Sequence, residues 1–263
     1  MKFSILIPAY KARFLAEAIS SVLAQTWNDF ELVIVDDCSP EDLKSIVGSF
    51  ADSRIKFSRN ETNCGAVNVV DNWNRCLEKS RGDYVICMGD DDRILPDCLE
   101  TLSGLIDKYP GLGVYHLQTQ IIDESGSVIE NLPARPEIEI AEEVALGRFL
   151  QRRKQFIGDW CFEARRLKAE GGFYDLPLAW CADDVTVLRA CRASGVANTQ
   201  SCVFQYRDNR LSLTRCSNNA KIKLNAYKFY AKWCRENFKG VFVRLVFERY
   251  LFHLRLHEWR KLI

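Results

Sequence analysis

Three consecutive carboxylates, Asp90, Asp91 and Asp92, follow the apolar run Tyr84-Val85-Ile86-Cys87-Met88 and stand just before Arg93. Like charges held side by side repel, so such a triplet at a strand end calls for a compensating cation. Mg2+ or Mn2+, hard ions that take one or two protein carboxylates together with phosphate oxygens, would supply it. The plainer reading is an acidic turn capping the next helix. A second acid pair, Asp183-Asp184, follows Trp180-Cys181-Ala182 and opens a helical run over 185–193. Adjacent acids there also read as caps. A carboxylate in a partly dry cleft beside another carboxylate would instead have a raised proton affinity, suited to a general base. The third element is Phe204-Gln205-Tyr206-Arg207-Asp208-Asn209-Arg210-Leu211-Ser212-Leu213-Thr214, a strand followed by a cationic, hydroxyl-rich loop. It is either solvated or a clamp in which Arg207 and Arg210 close over a diphosphate.

The elements that must position these residues follow from hydrophobic pattern. Short β-branched runs at 3–7, 31–35, 55–57 and 84–88 alternate with helical patterns at 15–23, 42–50, 67–77 and 95–106. Strands alternating with helices predict an α/β domain with a mostly parallel sheet covered on both faces. Ser39-Pro40-Glu41-Asp42 reads as an N-cap serine, a proline in the first turn and an acid three after the cap. In such sheets ligands gather beyond the carboxyl ends of the strands. Those ends carry Pro8-Ala9-Tyr10, Asp36-Asp37, Arg59-Asn60 and the acid triplet. Tyr10 could offer an aromatic face to a base, Asp36 a carboxylate to its N–H, and Arg59 a guanidinium to base or phosphate; turn formation and core packing are the plainer roles of Asp36, Asp37 and Tyr10. Residues 114–122 and the run from Val128 predict a strand, a turn and an antiparallel partner.

Composition narrows the class. The chain has 263 residues, 48% of them hydrophobic, with 36 basic and 35 acidic side chains. It can bury one large core, and no net field marks a binder of nucleic acid or anionic membranes. Eleven cysteines against three histidines, scattered and without close C-x-x-C pairs, fit a reduced compartment better than a disulfide scaffold or zinc site. The apolar start is broken at Pro8 and is too short for a signal peptide, and no stretch is long enough to span a bilayer. The expected location is cytoplasmic. The basic stretch 221–263, with Phe242, Leu245, Val246, Tyr250 and Leu254 near helical spacing, reads as a helix docked on the core or as an amphipathic helix meeting a partner or the inner membrane face.

Two stretches, SILIPAYKARFLAEAISSVLAQTWNDFELVIVDDCS and RNETNCGAVNVVDNWNRCLEKSRGDYVICMGDDDRILPDCL, resemble the N-terminal signature of the inverting glycosyltransferase family 2, whose fold is GT-A. GGFYDLPLAWCADDVTVLRAC resembles that family's later block, and YRDNRLSLT its last loop. The resemblance implies a Rossmann-like, mostly parallel sheet with a small antiparallel element in a domain over 1–218. Residues 1–110 would form the nucleotide-binding half and 111–218 the acceptor half, with a helical extension at 219–263. It implies that Pro8, Ala9, Tyr10, Asp36 and Arg59 hold the nucleoside, usually uridine. Asp90 would lie near the ribose, and Asp91 would bind the metal, with Asp92 as the other candidate ligand. Asp184 falls on the catalytic base, with Asp183 in place of a common glutamate. The sequence departs from the family pattern at Gly89, where many members have an aspartate, and at Arg210, where a histidine is frequent. The Q-x-x-R-W signature of processive synthases is missing, which implies single-sugar transfer to a glycan or lipid-linked acceptor in bacterial surface glycan assembly.

Two other classes compete. A nucleotidyl- or phosphotransferase also needs metal-binding acids at a strand end, but usually adds a glycine-rich phosphate loop of a type missing here. A non-catalytic nucleotide-sugar sensor or assembly subunit would not need both acid clusters.

Overall fold

In the computed structural model, residues 1–150, 152–209, 220–240, 245, 246, 248, 249 and 252 are described. The chain begins β1 (Phe3–Ala9), α1 (Leu15–Leu23), β2 (Phe30–Asp36), α2 (Leu43–Gly48), β3 (Ile55–Arg59), α3 (Val69–Lys79), β4 (Tyr84–Cys87), β5 (Arg93–Ile94) and α4 (Cys98–Lys108). It continues with β6 (Val114–Ile122), β7 (Val128–Asn131), β8 (Ile138–Glu139), α5 (Ala141–Phe149), β9 (Trp160–Glu163), α6 (Ala164–Ala169), α7 (Ala182–Cys191), β10 (Val196–Arg207) and α8 (Ala220–Asn237). The strands form one sheet in the order β3-β2-β1-β4-β9-β6-β10-β5, with β7 beside β6 and β8 beside β10. Pairing is parallel from β3 to β4 and between β6 and β10. The antiparallel β9 fills the gap between β4 and β6. The expected division at residue 110 therefore falls inside a single sheet, and the expected boundary at residues 218/219 lies outside the described residues.

Burial explains the continuous apolar strands. Alternate side chains of β1 point to opposite faces: Phe3, Ile5 and Ile7 pack with Leu15, Ile19 and Leu99 on one side, while Leu6 packs with Val70, Trp73 and Val85 on the other. Trp160, Phe162 and Phe173 are fully buried in the second layer, each such side chain contributing about 1.5–3 kcal/mol or more by removal from water. The first part of the C-terminal stretch is a docked helix: Tyr230, Ala231, Cys234 and Phe238 are buried, and the Tyr230 ring stacks on Phe149 at 4.6 Å. Of the apolar positions expected beyond it, Phe242, Tyr250 and Leu254 lie outside the described residues. Among the described residues no helix is long and apolar enough to cross a membrane, and ten cysteines are free.

Two local expectations are corrected. Asp42, not Ser39, caps α2: its Oδ1 accepts the Ser45 N–H at 3.1 Å. Ser39 is engaged elsewhere, its N–H donating to Asp36 Oδ1 at 2.8 Å and its hydroxyl to the Tyr10 carbonyl at 2.6 Å. The acid triplet does not cap a helix either. It leads into β5, and α4 starts only after Asp97, because Arg93 and Ile94 pair with β10.

Candidate active site

The strand ends expected to hold a nucleoside come together in register. Ala9 of β1 lies beside Asp36 of β2, which lies beside Arg59 of β3. Pro8 sits past Leu6, the last residue of β1 that pairs with β4, so its missing N–H costs no bond on that side. Asp36 is wholly buried and joins the Ser39 turn to the Arg59 guanidinium, with which it forms an ion pair; that partner raises the proton affinity of Arg59. Arg59 also donates to the Ser39 carbonyl at 2.8 Å, yet 45% of its side chain stays exposed. Tyr10 is 44% exposed, so it belongs to the rim and not to the core. Asp37 is a brace: its carboxylate accepts the Cys64 N–H at 3.0 Å and the Asn60 side-chain amide at 2.8 Å.

The acid loop docks on this rim through Asp90, whose Oδ2 accepts the backbone N–H groups of Tyr10 and Lys11, each at 2.7 Å. Asp92 turns inward, its Oδ2 accepting the Gly89 N–H at 3.1 Å and its Oδ1 the Arg207 N–H at 2.9 Å. Asp91 is only partly buried and is paired with the side-chain amide of Asn209. Burial and the Asp91 charge push Asp90 up to about 6 and Asp92 well above the usual carboxylate range, and burial raises Asp91 as well. Gly89 stands where the carboxylates close in: a Cβ there would lie 2.6 Å from Asp91 Oδ1 and 3.0 Å from Asp92 Oδ2. A side chain at this position, such as the aspartate that the family resemblance would place there, would push the Asp91 carboxylate aside.

A cation fits this crowd of carboxylates in one form only. Among the described residues no group of three or more His, Cys, Asp or Glu side chains could hold a metal. The loop suits an ion that takes one or two protein oxygens and completes its shell from phosphate and water, as Mg2+ and Mn2+ do. Asp91, one of whose oxygens accepts the Asn209 amide, would be the carboxylate to hold it; Asp92, expected as a second ligand, has each oxygen engaged by a backbone N–H.

Arg207 was expected to clamp a diphosphate, and the structure assigns it a different place. Its side chain is 0% exposed. The guanidinium donates to the carbonyls of Asp91 at 2.8 Å, Asp123 at 3.2 Å and Glu124 at 3.3 Å, pairs with Glu17 at 2.6 Å, and lies 4.2 Å over the Phe14 ring. With four of its five side-chain N–H groups bonded to the protein and no exposed surface, it fastens the acid loop to β10. Arg210 lies outside the described residues.

The second acid pair opens α7 without capping it. Asp184 has no exposed side-chain surface; its Oδ1 accepts Arg148 Nε at 3.0 Å and Gln155 Nε2 at 2.5 Å. Asp183 is only partly buried. Burial, with the Asp184 charge beside it, pushes Asp183 up to about 7. The pair is tied to the acid loop by packing: Gln155 precedes Phe156, whose ring stacks on Tyr206 at 3.6 Å, and Tyr206 precedes Arg207. The turn leading to it is unusual, with Leu178, Ala179 and Cys181 all at positive φ, a conformation that costs a non-glycine residue of order 1 kcal/mol or more and that clusters near functional sites.

Residues 4–162 match the family model described as Glycosyl transferase family 2. The chain belongs to glycosyltransferase family 2. It is 29% identical over 150 residues to the poly(ribitol-phosphate) beta-N-acetylglucosaminyltransferase TarS of Staphylococcus aureus, covering 56% of this chain and 25% of TarS. It is 35% identical over 104 residues to the GalNAc(5)-diNAcBac-PP-undecaprenol beta-1,3-glucosyltransferase of Campylobacter jejuni, covering 38% of this chain and 33% of that one. The chain spans about a quarter to a half of the length of the curated relatives it matches. The crystal structure of S. aureus TarS 1-349 in complex with UDP-GlcNAc superposes with a TM-score of 0.74 at 17% identity, covering 95% of this chain and 70% of that one. The α/β fold is thus the GT-A fold expected from sequence.

In this family 2 chain, Pro8, Ala9, Tyr10, Asp36, Arg59 and Asp90 are brought to one rim, and Asp91 stands beside them. Sequence reasoning missed Asn209 on Asp91, Glu17 on Arg207, and Arg148 and Gln155 on Asp184. Asn209 lay inside the loop already singled out. Glu17, Arg148 and Gln155 carry no local signal, since only the folded chain brings them to their partners.

Proposed function

We propose that this chain transfers a single sugar from a nucleoside diphosphate, UDP being the first candidate, to an acceptor hydroxyl with inversion. The observation that carries the reading is the docking of Asp90 on the Tyr10-Lys11 backbone, which sets a carboxylate loop directly on the rim made by Ala9, Asp36 and Arg59. A nucleoside on the rim would stack on Tyr10, with the Arg59 guanidinium beside the base, and its diphosphate would reach Asp91. Mg2+ or Mn2+ held by Asp91 would neutralise charge on the departing diphosphate.

The acceptor proton goes to the second acid pair. Asp183 is the better candidate base, although the family resemblance points to Asp184. A base must reach the acceptor oxygen, and Asp184 is sealed behind Arg148 and Gln155. An Asp183 titrating near neutrality is poised to take a proton as the hydroxyl attacks the anomeric carbon from the face opposite the diphosphate. That TarS of S. aureus and the C. jejuni enzyme are named for transfer to ribitol-phosphate polymer and to an undecaprenol-linked glycan supports an acceptor of bacterial surface glycan assembly.

The test is a thermal-shift screen of UDP-sugars and other nucleotide sugars with and without Mn2+, since a ligand that binds the native state raises its melting temperature. It is followed by product analysis with the best donor and lipid-linked or polymer acceptors. A shift that needs a UDP-sugar and is enlarged by Mn2+, with a transferred sugar of inverted anomeric configuration, is expected. Binding without transfer to any acceptor would favour a sensor or assembly subunit, and no binding would overturn the proposal.

A further inference from the structure

The C-terminal helix meets the turn that leads into the acid pair. Residues 177–179 pack against the 66–68 turn, which follows the β3 end carrying Arg59, and against α8. Trp180 comes next, just before Cys181 at the N-terminus of α7, whose first turn holds Asp183 and Asp184. The Lys223 ammonium of α8 lies 4.3 Å over the Trp180 ring, and the Tyr227 ring stands nearly perpendicular to it at 5.9 Å. Tyr227 is within reach of the acid pair: burial chiefly raises the proton affinity of its phenol, and the charges of Arg148 and Asp184 act on it as well. Trp180, Lys223 and Tyr227 are each half-buried, so an aromatic corner with a cation fixed on it keeps some surface in solvent beside the acids.

In the proposed reaction the donor's diphosphate lies at Asp91, and the acceptor approaches from the opposite face on the side of the acid pair. A neutral sugar gains little from an ammonium there, whereas a phosphate gains a charge-assisted hydrogen bond. The charge of the helix agrees, with Lys221, Lys223, Lys228, Lys232 and Arg235 against Glu236 alone. Holding the ammonium over an aromatic face orders its flexible stem before any ligand arrives. We infer that Lys223, positioned by Trp180, binds a phosphate group of the acceptor, which is therefore a hydroxyl compound bearing a diphosphate or a phosphodiester. The inference rests on the proposed transfer to an acceptor hydroxyl and names the chemistry of that acceptor.

The test reads binding without turnover, by saturation-transfer NMR titration in the presence of UDP and Mn2+. The probes are farnesyl-diphospho-N-acetylglucosamine, a glycerol-phosphate oligomer, and farnesyl N-acetylglucosaminide as the neutral control. One phosphate probe should bind at least about tenfold tighter than the control, and which one does so tells a lipid-linked diphosphate from a phosphodiester polymer. Lys223→Met should remove that advantage while keeping UDP affinity and melting temperature, and Lys223→Arg should restore most of it. Trp180→Leu should weaken the same probe but add little in a Lys223→Met background, because its effect passes through the ammonium; a merely structural tryptophan would give additive losses and overturn its positioning role. Phosphate probes that bind no better than the control, or equally well in Lys223→Met, overturn the inference. So does stronger Lys223-dependent binding to phosphatidylglycerol vesicles than to either probe, which would make α8 a membrane face. If Lys223→Met does not fold, reductive methylation of the wild-type protein read by peptide mass spectrometry decides: the phosphate probe should protect Lys223, and unchanged labelling overturns the inference. Failure to detect transfer from any donor would sink the proposed function and leave these binding outcomes untouched.

Discussion

Asp92 Oδ1 accepts the backbone N–H of Arg207 at 2.9 Å, joining residues 115 positions apart. The bond closes a brace in which the Arg207 guanidinium returns to the Asp91 carbonyl, so the last strand of the sheet holds the loop that carries the metal candidate. Asp92→Ala should leave the buried Arg207 N–H without its acceptor, at about 1–3 kcal/mol, and the half-buried Gly89 N–H as well, lowering the urea midpoint, while Asp92→Asn, which keeps one acceptor, should cost less. Arg207→Met should cost about 2 kcal/mol or more and Arg207→Lys nearly as much, since a single ammonium cannot span four partners. A stability unchanged by either substitution at 207, combined with weakened UDP binding, would return Arg207 to the role of phosphate clamp.

Asp91→Asn should separate metal from nucleoside. Calorimetry of UDP binding is expected to lose its Mn2+ dependence, with at least a tenfold fall in affinity, about 1.4 kcal/mol, at saturating Mn2+. Equal affinity in mutant and parent would remove Asp91 as the ligand.

Asp183→Asn and Asp184→Asn should fail differently. The first is expected to lower turnover by about 10²–10⁴-fold with donor affinity kept. The second should chiefly destabilise the fold, by about 3–5 kcal/mol, because Arg148 loses its counter-charge. Full turnover in Asp183→Asn would reassign the base.

Turnover should fall as pH drops through about 7, where Asp183 takes up a proton. Stability should show the opposite sign. An acid whose proton affinity is raised by folding binds more protons native than unfolded between its ordinary value of 3.8 and about 7, so its contribution declines as pH rises across that window. Asp183→Asn should accordingly be more stable than the parent at pH 8, by up to a few kcal/mol, and the advantage should vanish near pH 4. Denaturant titrations at the two pH values measure it; a pH-independent difference would contradict it.

Tyr10→Ala should weaken UDP binding by about 1–3 kcal/mol, the range for aromatic stacking on a base, without altering the melting temperature of the ligand-free protein by more than a degree or two. A ring exposed at the rim has little packing to lose. Unchanged affinity would place the base elsewhere.

Several features of this protein were fixed by local sequence. The stretches Ile5–Ile7 of β1, Leu32–Val35 of β2 and Val85–Cys87 of β4 are apolar without interruption because both faces of a central strand are covered, and α1 and β6 run over the residues that their patterns mark. Because strand ends in such a sheet share one edge, Ala9, Asp36, Arg59 and the acid triplet could be placed together before any coordinates. What local pattern could not decide was partnership across long separations. Asp90, Asp91 and Asp92 are chemically identical in sequence, yet folding sends the first to the Tyr10 backbone, the second to Asn209 and the third to Arg207. Asp183 and Asp184 are likewise equivalent until α5 brings Arg148 to one of them. A carboxylate's role depends on which donors remain within hydrogen-bond reach once the chain is packed, and that reach is set by tertiary contacts that periodicity does not encode.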